Sequence, residues 1–255
     1  MPRRARWPAR CRPSPSRADH RLTDGRPVTR RPHVLVSVAT SLDGYLDDMR
    51  DARLLLSNQE DFDRVDEVRA SVDAILVGAN TIRRDDPRLL VRSVARQEER
   101  VRRGLAPHPM KVTMTDRGDL DATARFFTCG DSDKLVYTRD PVAPSLREAL
   151  GDVATVVAAG EPVNLGVLLD DLGERKVTRL MVEGGSTVHT LFLSAGLVDE
   201  IHLVIAPFFV GDSSAPRFVH PGRFPQNHEH PMTLAEARQI GDVVLLRYLV
   251  TATGR

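Results

Sequence analysis

The sequence contains few cysteines and aromatic residues and no long apolar segment. Its two cysteines, Cys11 and Cys129, lack the spacing of a disulfide framework or a metal site, so we expect reduced thiols in a cytoplasmic protein. No apolar run approaches the roughly 18 residues that a membrane span requires. The Arg-rich N-terminus is not followed by an apolar segment, which excludes a secretory signal.

The sequence also lacks a large net charge. It holds 36 Lys and Arg against 35 Asp and Glu, but residues 1–31 contain ten arginines and only two acids. This Arg- and Pro-rich segment cannot form a core, so we predict a disordered tail at 1–31 and a single domain at 32–255. An arginine arm that binds nucleic acid or a membrane surface is the alternative for the tail, although the domain itself has no basic surplus.

No metal site is predicted. His220, His228 and His230 fall in a Pro-rich loop at 212–232, but no cysteine or carboxylate accompanies them at ligand spacing. Neither a GxGxxG dinucleotide fingerprint nor a P-loop occurs. A binding site in this chain must therefore be built from turns and polar residues outside these known motifs.

Residues 179–207 form the segment around which we expect the fold to be organised. The apolar run 180–182 predicts a buried strand that ends at Glu183 and a glycine pair. Ser186 or Thr187 is predicted to cap the helix that follows, and the next strand is predicted at 199–207. The predicted apolar face of that helix contains Val188, Leu191, Phe192 and Ala195. A helix N-terminus behind two glycines suits a phosphate, and a carboxylate at the end of a central strand lies where ligands bind.

Strands and helices alternate along the rest of the chain. Further strands are predicted at 34–39, 72–77, 111–115, 134–138 and 154–158. Gly78 and Gly160 mark turns after the second and the last of these strands, and another turn is predicted at 41–44. Helices are predicted at 60–71, with an apolar stripe of Phe62, Val65 and Val68, and at 92–104 (a solvated, charged face), 145–150 and 163–172. Asn80 or Thr81 is predicted to cap a single helical turn that Pro87 ends. The pattern predicts a three-layer α/β/α sandwich with a mostly parallel sheet and an antiparallel hairpin at 236–250.

Three separated motifs carry a resemblance to a known family. They are SLDGY at 41–45, the segment 68–92 that contains VGANTIRRDDPRLL, and the segment 182–211 that begins VEGGST. Together they resemble the reductase domain of riboflavin biosynthesis, which has a dihydrofolate-reductase-like fold, over residues 33–250. The resemblance implies a homodimer that uses NADPH to reduce a pyrimidine ribosylamine 5′-phosphate to its ribitylamine, by hydride transfer to ribose C1′.

The resemblance also implies roles for individual residues. Glu183 and Asp85 are candidate catalytic residues that would supply a proton through water, and two arginines would hold the substrate phosphate. The cofactor-binding candidates are Thr81, Asp85, Gly160, Gly184, Gly185, Ser186 and Thr187, to which the turn at Gly78 is added. The substrate-binding candidates are Arg69, Leu89, Arg92 and Glu183.

The sequence departs from the family at three places. Ser37 stands where many members have Lys or Asn, Asp66 where His is common, and residues 54–57 replace a Trp-Ile-Thr-type segment; no zinc-deaminase signature precedes the reductase. Two other functions therefore stay open. One is a reductase of the same fold that acts on dihydrofolate, a pterin or a pyrimidine of specialised metabolism, and the other is a non-catalytic nucleotide-binding protein.

Overall fold

Nine strands form one mixed sheet in the computed structural model, which describes residues 31–50, 52 and 54–250. The strands are β1 His33–Thr40, β2 Ala74–Gly78, β3 Met110–Thr115, β4 Lys134–Thr138, β5 Thr155–Ala158, β6 Arg179–Gly184, β7 Glu200–Ile205, β8 Thr233–Ile240 and β9 Val243–Leu249. Their order across the sheet is β5-β4-β3-β2-β6-β1-β7-β9-β8. The pairs formed among β1–β7 are parallel, and β9 pairs antiparallel with both β7 and β8.

Seven α-helices cover the two faces of this sheet. They are α1 Gln59–Ser71, α2 Ala79–Asp85, α3 Val94–Arg102, α4 Arg125–Thr128, α5 Ala143–Leu150, α6 Leu165–Glu174 and α7 Ser186–Ser194. The connections from β1 to β5 all advance in one direction across the sheet, and those from β5 to β7 return. Because such crossovers are right-handed, α1–α5 lie on one face and α6 and α7 on the other.

Two apolar clusters confirm the predicted three-layer architecture. One contains Leu168 of α6 and Phe192 of α7 together with Val182 of β6. The other contains Phe126 of α4 and Leu146 of α5, with sheet residues whose side chains point the opposite way. The mostly parallel sheet and the antiparallel hairpin at its edge are confirmed as well.

Helix α7 is rotated relative to the predicted orientation. Its buried apolar positions are Val188, Phe192 and Leu193, whereas Leu191 and Ala195 are exposed. Two adjacent rows of the helix, rather than one, face the sheet because α7 packs closely over glycines at the strand ends. The predicted apolar face was therefore right at two of its four positions.

The predicted stripe of α1 is confirmed at Val65 and Val68, which pack against the second apolar cluster, but the most deeply buried positions of this helix are polar. Phe62, Val65 and Val68 are each only partly buried. The fully buried side chains are instead Asp61, Arg64 and Asp66. Asp61 accepts hydrogen bonds from Arg64 Nε at 2.6 Å and from Ser57 Oγ at 2.5 Å, so its charge is compensated inside the protein.

Helix α3 is largely the charged, solvated helix that the sequence predicted, but two of its arginines contact α1 and the segment after it. Arg96 pairs with Asp63 at 2.7 Å and with Asp66 at 3.0 Å. Arg100 is 3 % exposed and donates to the carbonyl oxygens of Ala70 and Val72. A guanidinium has enough donors to satisfy several carbonyls at once, which explains how a charged helix can be docked without an apolar face.

Two short helices also differ from the predictions. Helix α2 begins directly after Gly78 without a side-chain cap, and it ends at Asp86, whose φ of 41° is left-handed. It is therefore longer than the predicted single turn, and neither Asn80 nor Thr81 caps it. Helix α4 was not predicted; the buried Lys111 Nζ donates to the carbonyl oxygens of Phe126 and Cys129 at its C-terminal end.

The predicted tail lies outside the described residues except for Arg31. This arginine pairs with Asp199 at 2.6 Å and donates to Leu197 O at 3.2 Å. In the described part of the chain, no helix is long and apolar enough to cross a membrane. Those same residues contain no group of three or more His, Cys, Asp or Glu that could hold a metal ion.

A buried histidine should make stability depend on pH. His189 of α7 is 1 % exposed and packs edge-on against Phe218, with ring centroids 5.3 Å apart. Burial lowers the pKa of His189 to about 4, whereas an unfolded histidine titrates near 6.5. The unfolded chain therefore binds more protons between these values, so this group destabilises the fold as the pH falls from 6.5 towards 4.

We predict that acidification from pH 7 to pH 5 costs the wild type about 2 kcal/mol more than it costs His189→Leu. The measurement is the free energy of unfolding in urea at both pH values. Equal losses in the two proteins would show that His189 is protonated in the folded state or accessible to water.

Candidate active site

The carboxyl ends of seven parallel strands meet at one edge of the sheet. Strand β6 lies between β2 and β1. The helix after β6 is α7, on the opposite face from α1 and α2, which follow β1 and β2. A crevice opens in α/β sheets where neighbouring strands lead to helices on opposite faces, and ligands bind there.

The glycine turns after β2 and β6 meet in this crevice. A Cβ atom on Gly78 would lie 2.9 Å from Val188 Cγ2, so α7 can approach β2 only because this residue is glycine. Gly185 has a φ of 91°, and a Cβ atom there would lie 3.4 Å from Thr81 Oγ1. Gly184 also faces the Thr81 side chain. These residues form a cradle lined by glycines, which we call the glycine cradle.

Ser186 and Thr187 border the glycine cradle but do not cap α7. The residue at the cap position is Gly185, which has no side chain to do so. Ser186 Oγ donates to the carbonyl oxygen of Arg217, and Thr187 Oγ1 lies 3.2 Å from His220 Nε2. The two hydroxyls thus hold the long β7–β8 loop, and among the described residues α7 has no side-chain cap at its N-terminus.

Gly160 lies apart from the glycine cradle, whereas Asp85 follows Thr81 of the cradle by one helical turn. Gly160 follows β5, four strand spacings or about 19 Å from β6. Its N–H donates to Asp140 Oδ1 at 2.8 Å, and its φ is 93°. Asp85 is exposed at the end of α2. A ligand that contacts all the predicted cofactor residues must therefore extend along the sheet edge.

Two of the predicted substrate residues form an ion pair with each other. Arg69 Nε and Nη2 donate to Glu183 Oε1 and Oε2, both at 2.6 Å. Only 15 % of the Arg69 side chain and 12 % of the Glu183 side chain are exposed. Arg69 Nη1 also donates to Leu90 O at 3.3 Å, which brings the 89–92 segment to the same place. Bidentate, charge-assisted hydrogen bonds of this type are stronger than hydrogen bonds between neutral groups.

The other two substrate candidates differ in position. Leu89 is 3 % exposed and belongs to the apolar core, with a left-handed φ of 50° that strains a leucine backbone. The Arg92 side chain is exposed, with its Cζ 5.9 Å from the centre of the Phe62 ring. The backbone N–H of Arg92 donates to Asp66 Oδ1 at 2.5 Å. The unusual Asp66 thus holds the start of α3 and pairs with Arg96.

Asp43 of the SLDGY motif has a role that the sequence did not indicate, since residues 41–44 were identified only as a turn. Its carboxylate accepts from Ser41 Oγ at 2.5 Å and from the N–H groups of Val210 and Gly211. Partial burial raises its pKa, but these three hydrogen bonds outweigh that effect and lower the pKa of Asp43 to about 2. The carboxylate therefore fastens the loop after β7 to the loop after β1 at neutral pH.

We predict that breaking the Arg69–Glu183 pair from one side costs more stability than removing both charges. Arg69→Met or Glu183→Gln leaves one buried charge without its partner and should cost about 3 kcal/mol. The double variant Arg69→Met/Glu183→Leu removes both and should cost less than either single change. Urea unfolding of the four proteins measures this, and single variants as stable as the wild type would contradict the prediction.

Comparisons by family model and by sequence show which known proteins this chain resembles. The family model described as the RibD C-terminal domain matches residues 32–246. A 2,5-diamino-6-ribosylamino-4(3H)-pyrimidinone 5′-phosphate reductase from Archaeoglobus fulgidus is 39 % identical over 188 residues, covering 73 % of this chain and 85 % of the relative. The protein of the same name from Methanothermobacter thermautotrophicus is 37 % identical over 195 residues, covering 74 % and 84 %.

Solved structures show the same fold at lower identity. A pyrimidine reductase-like protein from Corynebacterium diphtheriae gives a TM-score of 0.71 at 24 % identity, covering 86 % of this chain and 92 % of that one. RibD from Acinetobacter baumannii gives 0.70 at 23 %, covering 87 % and 58 %. The dihydrofolate-reductase-like fold is confirmed, and the chain belongs to the RibD C-terminal domain family of riboflavin biosynthesis.

Proposed function

We propose that this chain is an NADPH-dependent reductase that converts a 5-amino-6-ribosylamino-pyrimidine 5′-phosphate to its ribitylamino form. The observation that carries the proposal is its likeness to two relatives named as reductases of the 2,5-diamino-pyrimidinone phosphate, most of whose length it covers. We therefore take the diamino-pyrimidinone, rather than the deaminated uracil form, as the substrate. We place the reaction in riboflavin biosynthesis and in the cytoplasm.

The glycine cradle has the shape that a dinucleotide phosphate requires. Side chains on Gly184 or Gly185 would point at Thr81 and narrow it, and the start of α7 offers N–H groups and the positive end of a helix dipole. We propose that Gly78, Thr81, Gly184 and Gly185 hold the pyrophosphate with the first turn of α7. Asp85 and Gly160 would contact the outer parts of the cofactor. Bound NADPH supplies the hydride.

The Arg69–Glu183 pair supports a substrate site beside the cradle. Glu183 is the residue directly before Gly184, so both sites share the end of β6. We propose that Arg69 and Arg92 bind the substrate phosphate and that Glu183 accepts hydrogen bonds from the pyrimidine or ribose. The segment at Leu89 would form the wall of this pocket. Because Arg69 is bound to Glu183, the substrate phosphate must either displace the Glu183 carboxylate from Arg69 or bind Arg69 alongside it.

We further propose a homodimer formed through the outer face of the hairpin, with no role in binding nucleic acid. Leu234 of β8 and Val244 of β9 are 51 % and 41 % exposed on the same face of the hairpin, and exposed apolar side chains often mark an interface. Light scattering should give twice the chain mass of 28.3 kDa. Leu234→Glu with Val244→Glu should halve that mass. Val101→Glu, which changes the exposed Val101 of α3, should not; a wild-type monomer would contradict the dimer.

The experiment that tests the function is NADPH oxidation followed by absorbance. We expect turnover with the diamino-pyrimidinone ribosylamine phosphate, much slower turnover with the deaminated analogue, and none with dihydrofolate. Arg92→Ala should raise KM for the phosphorylated substrate far more than KM for NADPH, because it removes a phosphate ligand without breaking the buried Arg69–Glu183 pair. Turnover of dihydrofolate with none of either pyrimidine, or NADPH binding without any turnover, would overturn the proposal.

A further inference from the structure

The long loop between β7 and β8 packs against the first turn of α7. Ser186 Oγ donates to the carbonyl oxygen of Arg217, and the backbone N–H of His220 donates to Thr190 Oγ1 at 2.9 Å. Ser186 is the first residue of α7 and follows the glycine cradle directly. Residues 217–220 therefore lie beside the N-terminus of α7, where the cradle ends.

The loop after β1 pairs with the same segment. Tyr45 and Arg217 form an isolated antiparallel bridge, and the N–H of Phe218 donates to Gly44 O at 2.9 Å. The backbone of Arg217 is thus fixed between the loop after β1 and the start of α7. None of these hydrogen bonds uses the Arg217 side chain, so a substitution at this position leaves them in place.

The guanidinium of Arg217 lies on the ring of Tyr45. Its Cζ is 4.4 Å from the ring centre, a cation–π contact, and its Nη2 donates to Tyr45 Oη at 2.7 Å. Tyr45 is 3 % exposed, so its ring is a fixed surface for the guanidinium. A guanidinium has five N–H donors, and in the described part of the chain Arg217 uses only one of its nitrogens. Most of its donors are therefore available to another acceptor.

Arg217 also has no carboxylate partner among the described residues. The two arginines of α2, by contrast, both have one. Arg83 pairs with Asp119 at 2.7 Å, and Arg84 pairs with Asp47 at 2.9 Å. A paired arginine must give up or share its carboxylate before it binds an anion, whereas Arg217 need not. The charge of Arg217 is therefore the one that an anionic ligand can neutralise without breaking an ion pair.

The glycine cradle itself contains no charged side chain. Its members are three glycines and one threonine, namely Gly78, Thr81, Gly184 and Gly185. The start of α7 adds only the positive end of a helix dipole, which amounts to roughly half an elementary charge. A dinucleotide diphosphate carries a negative charge on each of its two phosphorus centres. A cation beside the cradle is therefore needed to balance the diphosphate that the proposed function places there.

We infer that Arg217, held on the ring of Tyr45, binds the diphosphate of the cofactor and supplies the positive charge that the glycine cradle lacks. The inference rests on the proposed function, which brings NADPH to the cradle. The carbonyl oxygen of Arg217 touches Ser186, so its guanidinium and the N–H groups of the first turn of α7 can bind the same anion. A guanidinium donates two parallel hydrogen bonds to phosphate oxygens. Arg217 thus binds and orients the cofactor and takes no part in hydride transfer.

The test is a titration of the full chain with NADPH, followed by the fluorescence of the nucleotide. Arg217→Gln removes the charge and should raise the Kd for NADPH at least about 10-fold, the usual effect of losing hydrogen bonds to a charged group. Arg217→Lys keeps the charge and should lose less affinity. The control is Arg223→Gln, which removes the same charge from the same loop. Arg223 is exposed and has no contact with Tyr45 or α7 in the described chain, so this variant should keep the wild-type Kd.

Titration with NADH and the KM for the pyrimidine separate the diphosphate from the other phosphates. NADH has the diphosphate but not the 2′-phosphate, so Arg217→Gln should weaken both nucleotides by the same factor and leave KM for the pyrimidine phosphate unchanged. A loss confined to NADPH, a loss seen only in the pyrimidine KM, or no recovery in Arg217→Lys would overturn the inference. A wild type that does not bind NADPH would overturn it together with the proposed cofactor. Binding of NADPH without turnover would refute the proposed reaction alone.

Discussion

The buried pair of Arg69 and Glu183 is the contact on which the arrangement of the site depends. It joins the end of α1 to the end of β6, and through Leu90 O it also holds the segment that leads into α3. Buried charges persist only when paired, so this contact fixes where α1 can lie. The same carboxylate stands one residue before the glycine cradle. The pair therefore sets the distance between the proposed substrate and cofactor sites.

The polar interior of this region follows from that contact. A helix anchored to the sheet by an arginine can bury polar residues, and α1 buries Asp61, Arg64 and Asp66 beside the apolar contacts of Val65 and Val68. The sheet beneath it carries Ser37 and His202 in the middle of its strands. Charged pairs of this kind add little net stability compared with an apolar core. The buried charges of α1 therefore fix how this helix lies against α3 and the sheet more than they add to stability.

The architecture could be predicted from the sequence because strands, helices and glycine turns leave local patterns. The apolar runs gave seven of the nine strands near their observed ends, and the glycines marked the edge where the cradle forms. What could not be predicted depends on distant partners. Asp66 looked out of place until its contacts with Arg92, Ser93 and Arg96 were known. Hydrophobic periodicity treats charged residues as exposed, so it missed the burial of Asp61, Arg64 and Arg100.

The most direct test of this arrangement is a crystal structure with NADP⁺ and the pyrimidine ribitylamine phosphate bound together. We expect the pyrophosphate within hydrogen-bond distance of the first turn of α7, beside Gly184 and Gly185. The pyrimidine ribitylamine phosphate should lie beneath α1, beside Glu183 and Arg69. Ligands bound at another edge of the sheet, or a pyrimidine above α6 and α7, would contradict the placement of both sites.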